Sequence, residues 1–297
     1  MKHSNLAPLL LAALAGCGGG GGSVTGPKGY ALDPALARAI PSDTIILGSV
    51  RMDRARKSPL YQEWQTKLPA AGLDEMKSRF GVDPRTDVDE MVAAYNGKEM
   101  LTLLRGRFKS GDLAAKLTEA GGQRADHGGK VLVQRGGAGV AFLSDTVAAA
   151  GTLPLLQAAI DGKGAGTPAS LLNGLTSLPA DAHALVLTTG GATLNLPQGT
   201  NVGNIDKVLA SLQSLSGWAN FDQGLRVALR GTATDADAAK RLHTQLRGLI
   251  GMGRLSTPDN RPDMLKLFDA IETKQVDKAI EANANVPADL LKRVLAK

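Results

Sequence analysis

Cysteine is almost absent from this sequence, with one residue among 297, and only four histidines are present. A single cysteine cannot form a disulfide within the chain, and no Cys/His group has the spacing of a zinc site. Two tryptophans, three tyrosines and five phenylalanines provide little stacking surface for nucleic acid or sugars. These scarcities exclude a disulfide framework and a structural zinc site.

The sequence also has only a small excess of one sign of charge over the other. The net charge is +6, and residues 30–165 carry 18 basic and 16 acidic side chains against 14 and 12 in residues 166–297. Nucleic-acid binding requires a concentrated basic surface, so we predict no nucleic-acid partner. A content of 43% hydrophobic and 21% charged residues is typical of a folded globular protein.

The apolar run near the amino terminus is too short to cross a membrane. Residues 6–14 would rise about 14 Å as a helix, roughly half of a hydrocarbon core. The run follows Lys2 and resembles the apolar region of a secretory signal peptide. We therefore expect residues 1–16 to be a signal peptide.

The end of this segment, Leu14-Ala15-Gly16-Cys17, resembles the lipobox of bacterial lipoproteins. The resemblance implies cleavage between Gly16 and Cys17, with diacylglycerol on the Cys17 thiol and further acyl chains such as palmitate. It also implies that membrane lipid is a partner through Cys17. An ordinary signal peptide ending in an accidental cysteine is the alternative.

Residues 17–29 include five consecutive glycines and have no apolar periodicity. A glycine-rich segment of this length behaves as a random coil spanning roughly 20 Å, which predicts a flexible tether. Gly18, rather than aspartate, follows Cys17. In lipoproteins of bacteria with two membranes, this pattern implies sorting to the outer membrane, facing the periplasm.

The remaining chain contains an internal repeat. Residues 104–117 align without gaps on residues 229–242, and Leu-Pro-Ala-Asp at 178–181 resembles Ile-Pro-Ser-Asp at 40–43. The repeat predicts duplication of a common unit. Its identical pairs are Leu104/Leu229, Arg105/Arg230, Gly106/Gly231, Asp112/Asp237, Ala114/Ala239 and Leu117/Leu242.

Hydrophobic periodicity and turn residues predict a similar succession of elements in both halves. In the first half we expect strands at 44–52, 91–95, 98–106 and 130–134, hairpins at Asn96-Gly97 and Arg135-Gly136-Gly137, and helices at 60–67, 73–80, 111–120 and 153–160. In the second half we expect strands at 184–188, 218–221, 225–232 and 274–282, a hairpin at Asp222-Gln223-Gly224, and helices at 205–215, 234–250, 262–271 and 288–295.

Strand, helix, hairpin, helix and strand in this order form the ferredoxin-like, split β-α-β pattern. We predict an α+β protein with two tandem ferredoxin-like domains at 30–161 and 168–297, whose antiparallel sheets pack against helices. A glycine-rich linker at 162–167 would join them. One sheet shared by both halves is the alternative. Tandem α+β halves also resemble uncharacterised bacterial envelope lipoproteins, which implies no particular activity.

Two groups of side chains are candidates for chemistry. Asp83, Asp87, Asp89 and Glu90 are clustered, but they lack the spacing and glycine of a calcium loop. We expect them to be solvated, with Thr86 and Asp89 forming a capping box or a turn.

The repeated arginines, Arg105 and Arg230, could bind an anion in each half. A structural role at the strand end is the favoured interpretation. Histidines such as His127 and His183 could join a spatially assembled triad, although no local motif marks one. No residue is identified as catalytic or as a cofactor or metal ligand.

Together these features predict a lipid-anchored protein of the cell envelope without enzymatic activity, acting as a scaffold or binding module at the membrane surface. A protein or small-molecule partner is expected but not specified. One alternative is a periplasmic carrier of an apolar ligand or lipid, which requires an apolar cavity of at least about 300 Å³. Another is a hydrolase whose polar groups converge in a cleft.

Overall fold

The computed structural model describes residues 29–65, 74, 77–78, 82–162, 166–190 and 211–295. The predicted signal peptide, Gly16, Cys17 and nearly all of the tether lie outside these ranges. The described residues form two compact α+β units. Residues 29–57 and 61–177 belong to the first unit, and residues 58–60 and 178–295 belong to the second.

Seven helices and seven strands precede residue 178 among the described residues. They are α1 (Pro34–Ala39), β1 (Ile46–Arg51), α2 (Met52–Ala55), α3 (Pro59–Trp64), α4 (Pro84–Asp87), β2 (Val88–Tyr95), β3 (Met100–Gly106), α5 (Ser110–Glu119), β4 (Gln123–His127), β5 (Lys130–Arg135), β6 (Ala138–Ser144), β7 (Val147–Thr152), α6 (Leu153–Asp161) and α7 (Ala169–Ser177).

After residue 178, the described elements include a hairpin followed by a long helix. The elements of this part of the chain are β8 (Ala184–Thr188), β9 (Leu212–Asn220), β10 (Gly224–Ala233), α8 (Ala236–Leu255), α9 (Pro262–Asp269), β11 (Ile271–Val276), β12 (Ala279–Pro287) and α10 (Ala288–Leu295).

The sheet of the first unit has the strand order β1-β2-β3-β7-β6-β5-β4, with antiparallel neighbours. Burial alternates along β2, as expected where one face of a strand packs against a core. The β2–β3 turn confirms the predicted Asn96-Gly97 hairpin: Gly97 has φ +96°, and the Asn96 Oδ1 accepts backbone hydrogen bonds from Lys98 and Glu99.

Helix α5 packs on one face of this sheet. Its Leu113 and Ala114 are buried against apolar side chains from several strands and from Phe108. The apolar spacing that predicts a helix at 111–120 therefore also identifies the buried face of α5. The other buried members of this core are Val88, Phe108, Val133, Phe142 and Ala148.

The second unit has an antiparallel sheet of order β8-β9-β10-β12-β11. Helix α8 begins after Asp235, whose carboxylate accepts the Ala238 amide hydrogen bond at 2.7 Å, as the sequence predicts for a helix cap. The buried core contains Leu212, Ala233, Ala238, Ala239, Leu242 and Ile280.

Two element predictions in the second half are wrong. Residues 205–210 lie outside the described ranges, but Leu212 and Leu215 of the predicted 205–215 helix belong to β9. Their three-residue spacing predicts a helix, whereas pairing with β10 and burial of Leu212 favour a strand. The predicted 274–282 strand is a hairpin, because Asp277 adopts φ +51° without the glycine that usually marks such a turn.

The first half contains elements that the sequence patterns do not predict. Strand β4 is mostly exposed and polar, and β7 consists largely of alanine and glycine, so neither has a strong strand pattern. Helix α7 follows the predicted 162–167 linker, of which residues 163–165 lie outside the described ranges. The first compact unit continues through this helix to Ser177.

Both units share one order of connections. A strand is followed by a hairpin and a helix, and the chain then returns so that its last strand pairs with the second hairpin strand. This pairing joins β7 to β3 in the first unit and β12 to β10 in the second. The strand pairs described within each unit are antiparallel, so the parallel pair of a split β-α-β unit is not among them and the ferredoxin-like prediction is not confirmed.

Candidate functional site

Three charged side chains form a row across the first unit's sheet. The register places Arg51 on β1 opposite Glu90 on β2, and Glu90 opposite Arg105 on β3. The Glu90 Oε2 lies 3.7 Å from the Arg51 Nε and 3.8 Å from the Arg105 Nε. We call Arg51, Glu90 and Arg105 the charge row. Opposite charges on neighbouring strands attract, which favours this register.

Glu90 is the buried centre of the charge row. Its side chain has no exposed surface, and neither carboxylate oxygen has a side-chain hydrogen-bond partner among the described residues, although the Asp33 backbone lies near enough to favour the charged form. Burial raises the pKa of Glu90, while the charges of Arg51 and Arg105 oppose that rise. The row therefore places a carboxylate in a poorly solvated environment between two cations.

Further carboxylates surround Arg105. Its Nε lies 3.4 Å from an Asp33 carboxylate oxygen, and its Nη1 lies 3.4 Å from the Asp89 Oδ2. The Arg105 Nη2 is 3.8 Å from the Asp53 Oδ2. Because Glu90 also faces it, Arg105 has four neighbouring carboxylates. This environment disfavours an anionic ligand and supports a structural role.

Other polar side chains lie beside the charge row and form hydrogen bonds with it or near it. Arg51 donates hydrogen bonds to the Asp53 carboxylate at 2.9 and 3.0 Å. Burial tends to raise the pKa of Asp53, but the Arg51 hydrogen bond and nearby positive charges produce a net lowering. The Tyr30 hydroxyl is 3.0 Å from the Ser49 hydroxyl, and burial raises the pKa of Tyr30 to about 12.

Arg230 has a related but more exposed setting. It lies opposite Glu281 in the β10–β12 register and forms an ion pair with it. Its side chain is 58% exposed, whereas that of Arg105 is 24% exposed. Both repeated arginines thus meet a glutamate on an adjacent strand, which supports the structural interpretation for Arg230 as well.

The acidic cluster differs from its predicted solvated arrangement because Asp83 and Glu90 are buried. Asp83 caps α4 by accepting the Arg85 amide hydrogen bond, and the Asp87 carboxylate accepts from the Asp83 amide. The capping pair is therefore Asp83/Asp87 rather than Thr86 with Asp89. A side-chain hydrogen bond from Arg85 is the main reason that the pKa of Asp83 is lowered to about 2.

The first unit also contains a pocket of about 370 Å³ between α1, the β6–β7 turn and α6. Its wall is mostly apolar, its mouth is open to solvent, and its volume lies near the lower end of the range of small-molecule sites. Arg38 and Ser144 provide polar groups beside this wall. The pocket is lined by Ala35, Arg38, Ala39, Leu143, Ser144, Val147, Ala159 and Gly162.

The described histidines make contacts that join local elements. His127 lies 2.8 Å from Asp161, and His243 lies 3.0 Å from Thr273. His183 is buried, and its Nδ1 accepts a backbone hydrogen bond from Phe221. These contacts give each histidine a structural role without identifying a triad.

Among the described residues, no group of three or more His, Cys, Asp or Glu side chains is arranged to hold a metal ion. No helix within these ranges combines the length and apolar character needed to cross a membrane. The predicted lipid-attachment residue Cys17 and cleavage-site residue Gly16 lie outside the described ranges.

Sequence reasoning missed the importance of Glu90 and Arg51. The signal for Glu90 is its alternation with Val88, Val92 and Ala94, which places it on the buried face of β2. The predicted strand begins at Met91, after Glu90, and therefore loses that signal. The pocket has no comparable linear pattern because Ala35 and Ala159 meet only after folding.

No protein-family model or curated protein matches this chain. Crystal form I of TP0453 is similar over 90% of this chain and 97% of that chain, with 9% identity and a TM-score of 0.50. Crystal form III is similar over 90% and 98% of the respective chains, with 9% identity and a TM-score of 0.53. At this identity, the likeness shows a common fold and leaves function open.

Proposed function

We propose that this chain is a lipid-anchored, non-enzymatic binding module of the bacterial cell envelope, with a small, mostly apolar ligand held in the first unit. The pocket is the observation that carries this proposal. Its volume of about 370 Å³ exceeds the roughly 300 Å³ expected for a small-ligand site. Five of its eight lining residues are alanine, leucine or valine, which favours burial of an apolar surface.

The anchor proposal rests on Cys17 and the glycine-rich segment that follows it. Acyl chains on Cys17 would hold the protein at the outer membrane, with the folded units facing the periplasm. Residues 17–29 would allow the body to move within roughly 20 Å of the anchor. Tyr30 begins the buried part of the fold, where its hydroxyl contacts Ser49 at 3.0 Å.

We also propose that the two units arose by internal duplication. In both units, the strand bearing the repeated arginine pairs with the last strand and leads into a helix. Gly106 and Gly231 both occupy crowded positions, where an added Cβ would lie 2.1 Å from the Asp87 carbonyl oxygen or 2.9 Å from the Leu212 Cδ2. The contact at Gly106 is with backbone, which cannot move aside, whereas the contact at Gly231 is with the end of a leucine side chain. A small residue at the same place after the repeated arginine supports a common ancestral unit.

The helices that follow these strands provide independent support for duplication. Ala114 and Ala239 have no exposed surface, and each packs in the core of its own unit. Leu117 and Leu242 likewise each pack in the core of their own unit. Asp112 and Asp237 lie in the first turn, where a negative charge favours the helix dipole. The identical residues therefore occupy corresponding positions in the two units and have the same physical role there.

A non-enzymatic function agrees with the contacts around the residues considered for chemistry. Arg105 faces several carboxylates, and the described histidines join neighbouring elements. These contacts favour a structural role over a catalytic one for those residues. We therefore assign binding to the pocket and a structural role to the charge row.

Native mass spectrometry of protein purified from its own membrane tests retention of a ligand. We expect wild-type protein to retain a small apolar compound and Ala35→Phe to lose it, because the larger side chain fills the pocket. Ala31→Phe is the control, since Ala31 is exposed and lies outside the lining. Equal retention by both variants, or no retained compound in wild type, would contradict the proposed binding function.

A further inference from the structure

We infer that the pocket selects a single-chain amphiphile with an anionic head, which Arg38 binds while the chain contacts the apolar wall. This inference rests on the proposed binding function and identifies its ligand class. A carboxylate and a monoalkyl phosphate have the required head chemistry. A single chain fits the size of the pocket, whereas a positively charged amphiphile would face Arg38 unfavourably.

Arg38 has capacity to bind such a head. Its Nε donates to the Pro34 carbonyl oxygen at 3.2 Å, and no carboxylate within the described part of the chain lies at ion-pair distance from it. A guanidinium has five N–H donors and can bind two oxygens of one anion. By contrast, Arg105 is already surrounded by acidic side chains.

The apolar lining provides a place for the chain. Ala35 and Ala39 come from α1, while Leu143, Val147 and Ala159 come from the opposing parts of the first unit. Three of these five side chains are alanine, so the wall leaves space for a ligand chain. The volume of about 370 Å³ is near the lower end of the range of small-molecule sites, which favours a ligand with one short chain over a ligand with several chains. Decanoate, with ten carbons and two oxygens, is a short single-chain probe of this class.

One local feature opposes an anion. Gly162 lines the pocket and follows α6, whose C-terminal end carries partial negative charge. The guanidinium of Arg38 carries a full positive charge, and within the described ranges only its Nε donates a hydrogen bond, so its effect on an adjacent anionic head is greater. The nearby Asp161 carboxylate is paired with His127 at 2.8 Å. The local balance therefore favours an anionic head near Arg38.

Binding can be measured by calorimetry on the full chain carrying Cys17→Ser, expressed without export so that it remains unacylated and requires no detergent. Decanoate, decyl phosphate, decanol and decylammonium are compared at monomeric concentrations. We expect at least one anionic probe to bind about tenfold more tightly than decanol, with decylammonium binding more weakly still. The two anionic probes distinguish a carboxylate head from a phosphate head.

Arg38→Met should reduce anionic binding about tenfold and bring it close to decanol binding. Arg124→Met is the matched control because Arg124 is also exposed and lies on β4, outside the pocket. Its binding should match that of the Cys17→Ser parent. Arg38→Glu should reverse the preference toward decylammonium.

Equal binding of anionic probes and decanol by the parent, or an anionic preference that survives Arg38→Met, would overturn the ligand-class inference while leaving an apolar pocket. Loss of binding by all four probes would overturn both the inference and the proposed small-ligand function. Binding that persists in the Ala35→Phe variant would also contradict both, because it would locate the ligand elsewhere. The outcomes therefore distinguish head selectivity from pocket binding.

Discussion

Replacing Arg105 with methionine should destabilise the first unit more than replacing Glu90 with leucine. Arg105→Met removes one cation from the charge row and leaves Glu90 with Arg51 at 3.7 Å. Removing one partner of a buried ion pair costs about 3–5 kcal/mol. Because Arg51 remains and Arg105 is 24% exposed, we expect a loss of about 3 kcal/mol, at the lower end of that range.

Glu90→Leu removes the buried charge while retaining a side chain of similar size. Arg51 can keep its Asp53 contact at 2.9 Å, and Arg105 can keep its contacts with Asp33 and Asp89. We therefore expect a change within about 1 kcal/mol, because removal of the desolvation penalty offsets the loss of the contacts with Arg51 and Arg105. The Glu90→Leu/Arg105→Met double variant should be less destabilised than Arg105→Met by about 2 kcal/mol.

Hydrogen exchange measured by mass spectrometry on β1–β3 provides the free energy of opening the relevant part of the sheet. The unacylated Cys17→Ser chain and its three charge-row variants can be compared under the same conditions. Equal destabilisation by Arg105→Met and Glu90→Leu would refute the reasoning, as would a larger effect from Glu90→Leu. A double variant with the sum of the single effects would show no coupling.

The charge row also predicts a direction for pH dependence. Folding raises the pKa of Glu90, so the folded chain takes up a proton more readily than the unfolded chain. The contribution of Glu90 to the free energy of unfolding is fully present below the pKa that Glu90 has in the unfolded chain. It is lost as pH rises through the raised pKa of the folded chain. Glu90→Leu should remove that contribution, which repetition of the exchange measurements across pH would test.

Two further perturbations address the cap and the anchor. Asp83→Ala should destabilise the first unit by about 2 kcal/mol at neutral pH, because the Asp83 pKa is about 2 and its carboxylate is both capping and paired. The wild-type contribution is present above the ordinary aspartate range and lost as pH falls through about 2, so urea unfolding curves of wild type and Asp83→Ala should converge at low pH; a constant separation would contradict the linkage. Cys17→Ser should abolish incorporation of an alkyne fatty acid in bacterial cells, whereas labelled Cys17→Ser or unlabelled wild type would refute the anchor.

Some elements can be predicted from local sequence because their signals agree with their tertiary setting. The apolar run at 184–188 and the helix at 288–295 match β8 and α10 at both ends. Asn96-Gly97 supplies the conformational freedom of the hairpin, and Asp235 supplies the cap of α8. In these segments, periodicity and end chemistry favour the same structure.

Other elements depend on contacts that local patterns do not specify. Leu212 has helix-like spacing with Leu215, but its packing in the second unit's core and the β9–β10 pairing require an extended backbone. Asp277 turns the chain where a continuous strand is predicted, because its left-handed conformation allows β11 to pair with β12. Tertiary contacts decide these segments.

The candidate site is only partly accessible to sequence reasoning. The repeat identifies Arg105, and alternation along β2 indicates that Glu90 faces inward. Its proximity to Arg51 and Arg105 requires the register of three strands. The pocket requires a still more distant association, since α1 and α6 contribute residues more than one hundred positions apart.

Helix α1 links the network around Arg105 to the pocket wall. Asp33 caps α1 through the Ala35 amide and lies 3.4 Å from Arg105, while Ala35 and Ala39 also line the pocket. A ligand that binds this folded arrangement but not the unfolded chain will increase the resistance of the first unit to unfolding as its concentration rises. Occupancy of the pocket can thus be measured as an increase in the free energy of unfolding of the first unit, including parts of that unit that do not contact the ligand.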